Sequence, residues 1–144
     1  MMGALIVMGL ITNSSFLNVR EINHQREYYL TGYAYARQGN YSQAIKELNT
    51  SLKFPVDPLI QAQVYYILGD IYCVRKQYGA AEKAYIAALR NNPQHAKVYF
   101  QLGNLYMILG YLERAEYAYH QALRIYPDYH EAKVNLKLLL QKKR

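Results

Sequence analysis

The side chains able to do chemistry are few. Four histidines, His24, His95, His120 and His130, could ligate a metal or move a proton, and Cys73 is the single thiol. Metal ligation and nucleophilic catalysis both need such groups at defined spacings, because the ligands or the nucleophile and base must converge. No two histidines form an HExxH-type pair, and no Cys/His pairing suggests a zinc module. No G-x-S-x-G elbow, Walker loop or dinucleotide-binding fingerprint occurs. Cys73 reads as a small buried or half-buried thiol rather than a nucleophile. The ten acids stand singly, where a carboxylate is usually solvated. The residues therefore predict a non-catalytic protein with no catalytic residue, no metal and no cofactor.

What the chain has in abundance is tyrosine and positive charge. It holds 17 Tyr and no Trp, and 17 Lys and Arg against 10 Asp and Glu give a net charge of +7. Such a balance invites nucleic acid or an anionic surface as partner. Residues 133–144 carry five of the basic residues and no acid, which leaves +2 for everything before Lys133. That is thin for a phosphate track. Nucleic acid is therefore not the expected partner, although a helical-repeat RNA reader that stacks bases on Tyr stays open as an alternative. The length of 144 residues fits one domain, and 52% hydrophobic residues exclude a wholly disordered chain.

The elements that carry these residues repeat. Gly32, Gly69 and Gly103 are followed twelve residues later by Ala44, Ala81 and Ala115, with intervals of 37 and then 34 in both series. Pro93 and Pro127 are also 34 apart. Tyr28, Tyr65 and Tyr99 precede each Gly by four, Tyr35, Tyr72 and Tyr106 follow it by three, and Leu48, Tyr85 and Tyr119 follow it by sixteen. Small residues at the Gly and Ala slots allow two helices to approach closely, and the aromatic slots line one face of each helix. Gly39-Asn40, Gln77 and Gly110 fill the turns between helices, and the two prolines end the second helices. In the longer loop Phe54–Asp57, Asp57 is placed to cap the next helix, with Pro58 at its first position.

These slots, best seen in YYILGDIY…QYGAAEKAYIAALRNNP and YFQLGNLYMILGYLERAEYAYHQALRIYP, resemble the tetratricopeptide repeat over residues 25–129. The resemblance implies an all-α fold, antiparallel helix–turn–helix repeats stacked in a right-handed α-solenoid. It divides the chain into an apolar lead at 1–24, repeats at 25–58, 62–95 and 96–129, a linker at 59–61, and a capping helix with a basic tail at 130–144. The first repeat departs from the pattern at Thr31, where the others have Leu, and by a three-residue insertion at its end. In the cap, Ala132, Leu136 and Leu139 or Leu140 can cover the last repeat.

A solenoid of this kind binds in its concave groove, lined by the first helices. The resemblance places Arg26, Tyr29, Tyr33, Arg37, Tyr66, Asp70, Lys97, Phe100, Gln101 and Asn104 there. Tyr29, Tyr66 and Phe100 form an aromatic column beside the core column Tyr28, Tyr65 and Tyr99, so they point to another face. They serve either as contact surface or as packing against neighbouring elements. Arg26, Arg37 and Lys97 could pair with an acidic group, with Asn104 and Gln101 as donors. Some family members hold the acidic tail of heat-shock chaperones with a clamp of Lys and Asn in the first repeat, Asn in the second, and Lys and Arg in the third. Here Tyr29, Tyr33, Ile67, Lys97 and Gln101 stand in those places, so only Lys97 matches. The groove is expected to take a more apolar or aromatic segment of a protein partner.

The ends stay open. Residues 1–19 carry no charge and begin with the apolar run Met1–Ile11. They read either as a membrane anchor or export signal, which would fix the localisation, or as an extension packed on the first repeat. The run Leu136–Leu140 offers a surface for self-association. A regulatory subunit of an enzyme complex is a third reading of the whole.

Overall fold

A computed structural model describes residues 2–54 and 57–143, with side chains described from Val19 onward. All elements among the described residues are helical: α1 (Met2–Arg37), α2 (Tyr41–Ser51), α3 (Pro58–Val74), α4 (Tyr78–Asn91), α5 (Ala96–Leu109), α6 (Leu112–Ile125) and α7 (His130–Lys142). The chain divides into two compact units, Met1–Gln61 and Ala62–Arg144. Among the described residues no helix is long and apolar enough to cross a membrane. The anchor, signal and packing readings of the apolar lead rest on side chains outside those described.

Two of the expected boundaries are corrected. α1 runs without a break through position 24, so the lead and the first repeat's opening helix share one helix. Residues 59–61, expected as a linker, are the first turn of α3. The reason is local: the Asp57 carboxylate accepts from the N–H of Leu59 at 2.8 Å and of Ile60 at 3.4 Å, which starts the helix at Pro58.

In the first unit α2 packs on α1 where a side chain is missing. A Cβ on Gly32 would lie 2.7 Å from Leu48 Cγ and 3.1 Å from the Leu48 backbone nitrogen. Ala44 and Leu48 are fully buried. The inserted loop is held by Gln25, which is also fully buried. Its Oε1 accepts from the Asp57 N–H at 2.9 Å, its Nε2 donates to the Asp57 carbonyl at 3.4 Å, and its own carbonyl accepts from Ser51 Oγ at 2.8 Å. Above this clamp the rings of His24 and Tyr28 lie 5.8 and 5.9 Å from Phe54. Gln25 thus supplies hydrogen-bond partners to both backbone groups of Asp57, at the end of the longer loop.

The second unit uses the same close approach twice. A Cβ on Gly69 would overlap the ring of Tyr85, and one on Gly103 the ring of Tyr119. Tyr85 packs with Ala81, Ala88, Val98, Leu102, Leu105 and Ala118. Tyr119 packs with Ala115, Leu136 and Leu139. Of the leucines open to the capping role, Leu139 is buried and Leu140 exposed. The cap is fastened at its end by Lys143, whose Nζ lies 2.7 Å from Glu116 and 3.6 Å from Glu113. Arg114 lies over the rings of Tyr106 and Tyr111 and 3.7 Å from Glu82, which accepts from the Tyr106 hydroxyl at 2.8 Å. Burial, then the Glu82 hydrogen bond, pushes the Tyr106 phenol up to about 12.

The interhelical turns repeat one geometry. Gly39 and Gly110 take positive φ, 76° and 77°, and Lys76 takes 58°. The turn position of the middle repeat is therefore Lys76, not Gln77. Gln77 stands one residue later at the N-terminal cap position of α4 without a capping side-chain bond, whereas the Asn40 side chain accepts from the Gln43 N–H at the start of α2. In each turn the residue after the left-handed one donates to the carbonyl of the Tyr three past the repeat glycine: Asn40 to Tyr35, Gln77 to Tyr72, and Tyr111 to Tyr106, at 2.8–2.9 Å. This satisfies a carbonyl left open by the helix end. Pro93 and Pro127 lie two residues beyond α4 and α6, where the chain has turned extended at Asn92 and Tyr126.

Candidate protein-binding site

The second unit gathers six of the expected groove residues. Tyr66, Asp70, Lys97, Phe100, Gln101 and Asn104 lie on α3 and α5 at equivalent slots around Gly69 and Gly103. Three of them form a polar ladder. Asp70 Oδ1 accepts from the Tyr85 hydroxyl at 2.6 Å and from Gln101 Nε2 at 2.9 Å. Gln101 Oε1 accepts from Asn104 Nδ2 at 3.1 Å. Asn104 Oδ1 accepts from the Tyr119 hydroxyl and from Asn135 Nδ2, both at 2.8 Å. Gln101 and Asn104, expected to donate to a ligand, each give a hydrogen to the ladder itself. Burial, and then the Asp70 charge, drive the Tyr85 phenol far above its ordinary value, so it stays a donor throughout the physiological range.

The aromatic column divides its role. The Tyr66 ring lies 5.4 Å from His95 and 6.5 Å from Tyr85, and Phe100 lies 4.9 Å from Tyr129 and 6.0 Å from Tyr119. Both rings are half-buried and clamped by the residue that opens the next helix, His95 or Tyr129. Both rings therefore pack against neighbouring aromatic side chains. His95 also bonds Gln63 Nε2 through its Nε2 at 3.2 Å. Burial, reinforced by Lys97, holds its imidazole below the usual pKa, while Asp70 pulls the other way.

In the first unit Tyr29 and Tyr33 stack at 6.4 Å along α1, Tyr29 half-buried and Tyr33 42% exposed. Burial, then the Tyr33 charge, raises the Tyr29 phenol. Arg26 and Arg37 flank them, both exposed, as Lys97 is in the second unit.

The structure adds His95, Tyr129 and Asn135 as residues that the sequence reading missed: the first two pack on the aromatic column, Asn135 closes the ladder from α7, and Tyr85 and Tyr119, already placed in the repeat series, bond to it. Their signal was present: His95 and Tyr129 both fall two residues past the repeat prolines, 34 apart. The exposed apolar residues Val74 and Ile108, 60% and 61% exposed, also stand 34 apart, each five past its repeat glycine. Asp70, Cys73, Val74, Tyr85, Gln101, Asn104, Leu105 and Ile108 line an open hollow of about 400 Å³. Among the described residues no group of three His, Cys, Asp or Glu could hold a metal ion.

These helices, turns and glycine contacts are those of a known class. The tetratricopeptide-repeat family matches residues 28–54, 62–95 and 96–129, well over half of the sequence. The chain belongs to the tetratricopeptide-repeat family. No curated protein matches it. Among solved structures it is similar to MamA, at 26% identity and TM-score 0.75 over 90% of this chain and 74% of that one. It is also similar in fold to the first repeat domain of Spaghetti (RPAP3), solved bound to an HSP90 peptide. That likeness has 24% identity and TM-score 0.75 over 83% and 95% of the two chains. A third likeness is to a Thermobaculum terrenum O-GlcNAc transferase, at 24% identity and TM-score 0.74, covering 84% of this chain but 23% of the enzyme.

Proposed function

We propose that this chain is a non-catalytic interaction scaffold that holds an extended or helical segment of a partner protein in the concave groove lined by its first helices. One observation carries the reading. Val74 on α3 and Ile108 on α5 are exposed, as are Leu30 and Tyr33 on α1, and all four fall on slots around the repeat glycine that the family resemblance assigns to the groove; Val19 and Leu59, also exposed on first helices, lie outside those slots. Isolated exposed apolar residues need no explanation, but Val74 and Ile108 recur in register within one unit, each five past its repeat glycine. Arg26, Tyr29, Tyr33, Arg37, Tyr66, Asp70, Lys97, Phe100, Gln101 and Asn104 remain the proposed contact set. The fold itself is suited to the task, since the Spaghetti (RPAP3) domain holds a peptide. That peptide ends in acids, and with Lys97 alone matching the clamp, this groove takes a different segment.

The proposed setting is assembly of a membrane or envelope complex, resting on the uncharged residues 1–19. Repeats at 25–58, 62–95 and 96–129 and a cap from 130 are the proposed units of the scaffold. Leu138 and Leu140, exposed on α7, are the proposed surface for self-association. Affinity capture followed by mass spectrometry, on soluble and membrane fractions, tests the reading. A Val74→Asp, Ile108→Asp variant should lose the partner while circular dichroism stays helical, and an unchanged set of captured proteins would contradict it.

A further inference from the structure

The hollow between α3 and α5 has a chemistry that narrows what the groove accepts. Its lining joins polar and apolar groups: Asp70, Gln101 and Asn104 of the ladder, with Cys73, Leu105 and the exposed Val74 and Ile108. The one acid in the lining is Asp70. Both hydrogen bonds to its carboxylate, from Tyr85 and Gln101, arrive at Oδ1. Oδ2 accepts none, and no Lys, Arg or His forms an ion pair with Asp70 among the described residues. The two donors are neutral, so the ladder fixes the carboxylate in place without cancelling its charge.

We propose that this hollow is a subsite for a lysine or arginine side chain of the partner segment, its aliphatic stem lying between Val74 and Ile108 and its cationic head on Asp70 Oδ2. The fit follows from the shape of such side chains, which bury an apolar stem and carry the charge at the tip. An aliphatic side chain would meet Val74 and Ile108 but leave the Asp70 charge without a counter-charge, and an acidic one would meet like charge. The preference is opposite to that of a carboxylate clamp, which needs cations on the protein. Lys97, the one matching clamp residue, is not among the residues lining the hollow. The inference rests on the reading of this face as a peptide-binding groove and adds the class of side chain it selects.

The test uses the full chain and a random dodecapeptide library displayed on phage. The selected peptides should carry Lys or Arg at one position beside an apolar residue. The best of them, resynthesised with norleucine at that position, should bind the wild type about tenfold more weakly, the size expected of a hydrogen bond to a charged group. Asp70→Asn keeps an oxygen for Tyr85 and Gln101, and should bind the two peptides equally. If that variant does not fold, Ile108→Lys, at an exposed position of the lining, places a cation over Asp70 and should remove the same preference. Selected peptides without a recurring basic position would overturn the subsite and leave the groove standing. So would a lysine-over-norleucine preference that persists in the variant. A library from which nothing is selected would overturn the groove itself, and the subsite with it.

Discussion

At the scale of single residues, buried polar groups carry more of the architecture than their number suggests. Gln25 is fully buried and spends both ends of its amide on Asp57. Replacing it with Leu keeps the bulk but leaves the Asp57 N–H without its partner, at a cost of about 1–3 kcal/mol. A urea titration of Gln25→Leu should show that loss; an unchanged midpoint would mean water replaces the clamp. His95 gives a second expectation. Its imidazole, lowered by burial and then by Lys97, takes up a proton less readily folded than unfolded. Stability should therefore fall as pH drops from about 7 to about 5, through and below the ordinary histidine value. His95→Gln should flatten that slope in urea titrations at the two ends of the range. An equal slope in both proteins would assign it to other groups. Gln25 was not legible beforehand, since it stands where the other repeats have Ala62 and Ala96; the spacing of His95 and Tyr129 was visible, but the role of His95 shows only once Tyr66 and Gln63 are seen against it.

At the scale of the helix, the glycines report how tightly pairs must meet. Gly103→Ala gains about 1 kcal/mol of helix propensity, yet its Cβ would enter the ring of buried Tyr119. Overpacking of this kind costs about 1–3 kcal/mol, so the net effect should be destabilising. Gly79→Ala meets nothing within 4 Å and should stabilise by about 0.5–1 kcal/mol. Calorimetric melting of the pair checks the contrast, and two shifts of the same sign would contradict the packing. Lys76 supplies a third test, because it takes the left-handed conformation that its equivalents Gly39 and Gly110 adopt freely. Lys76→Gly should raise stability by up to about 1 kcal/mol, read from the same melts, and a lower midpoint would show that the turn pays no strain there. The Gly, Ala and Tyr series made the helix pairs readable in the sequence, since close approach and a repeated face need those residues at those spacings. The turn was misplaced by one residue at Gln77 because a lysine carries no sign of positive φ. The helical state of 59–61 was hidden by the insertion that precedes it, although the cap at Asp57 was visible.

At the scale of the whole molecule, the account joins a repeat scaffold to a surface. The slots of the proposed groove were readable from the family pattern, but their division of labour was not. Tyr66 and Phe100 turn out to be clamped by His95 and Tyr129, and Gln101 and Asn104 to hold Asp70 in place, because those partners lie about thirty residues away or on a second helix. The basic balance, which first suggested nucleic acid, sits largely at the C-terminus, where Lys143 is engaged by Glu116 and Glu113. The proposed recognition surface includes the exposed Val74 and Ile108 on first helices. The most direct measurement is site-specific photo-crosslinking in cells, with the reactive group at Val74 or Ile108 on first helices and at Ile86 or Tyr117 on second helices. The account predicts that Val74 and Ile108 capture the same partner protein and that Ile86 and Tyr117 do not. Capture from Ile86 and Tyr117 alone would contradict it.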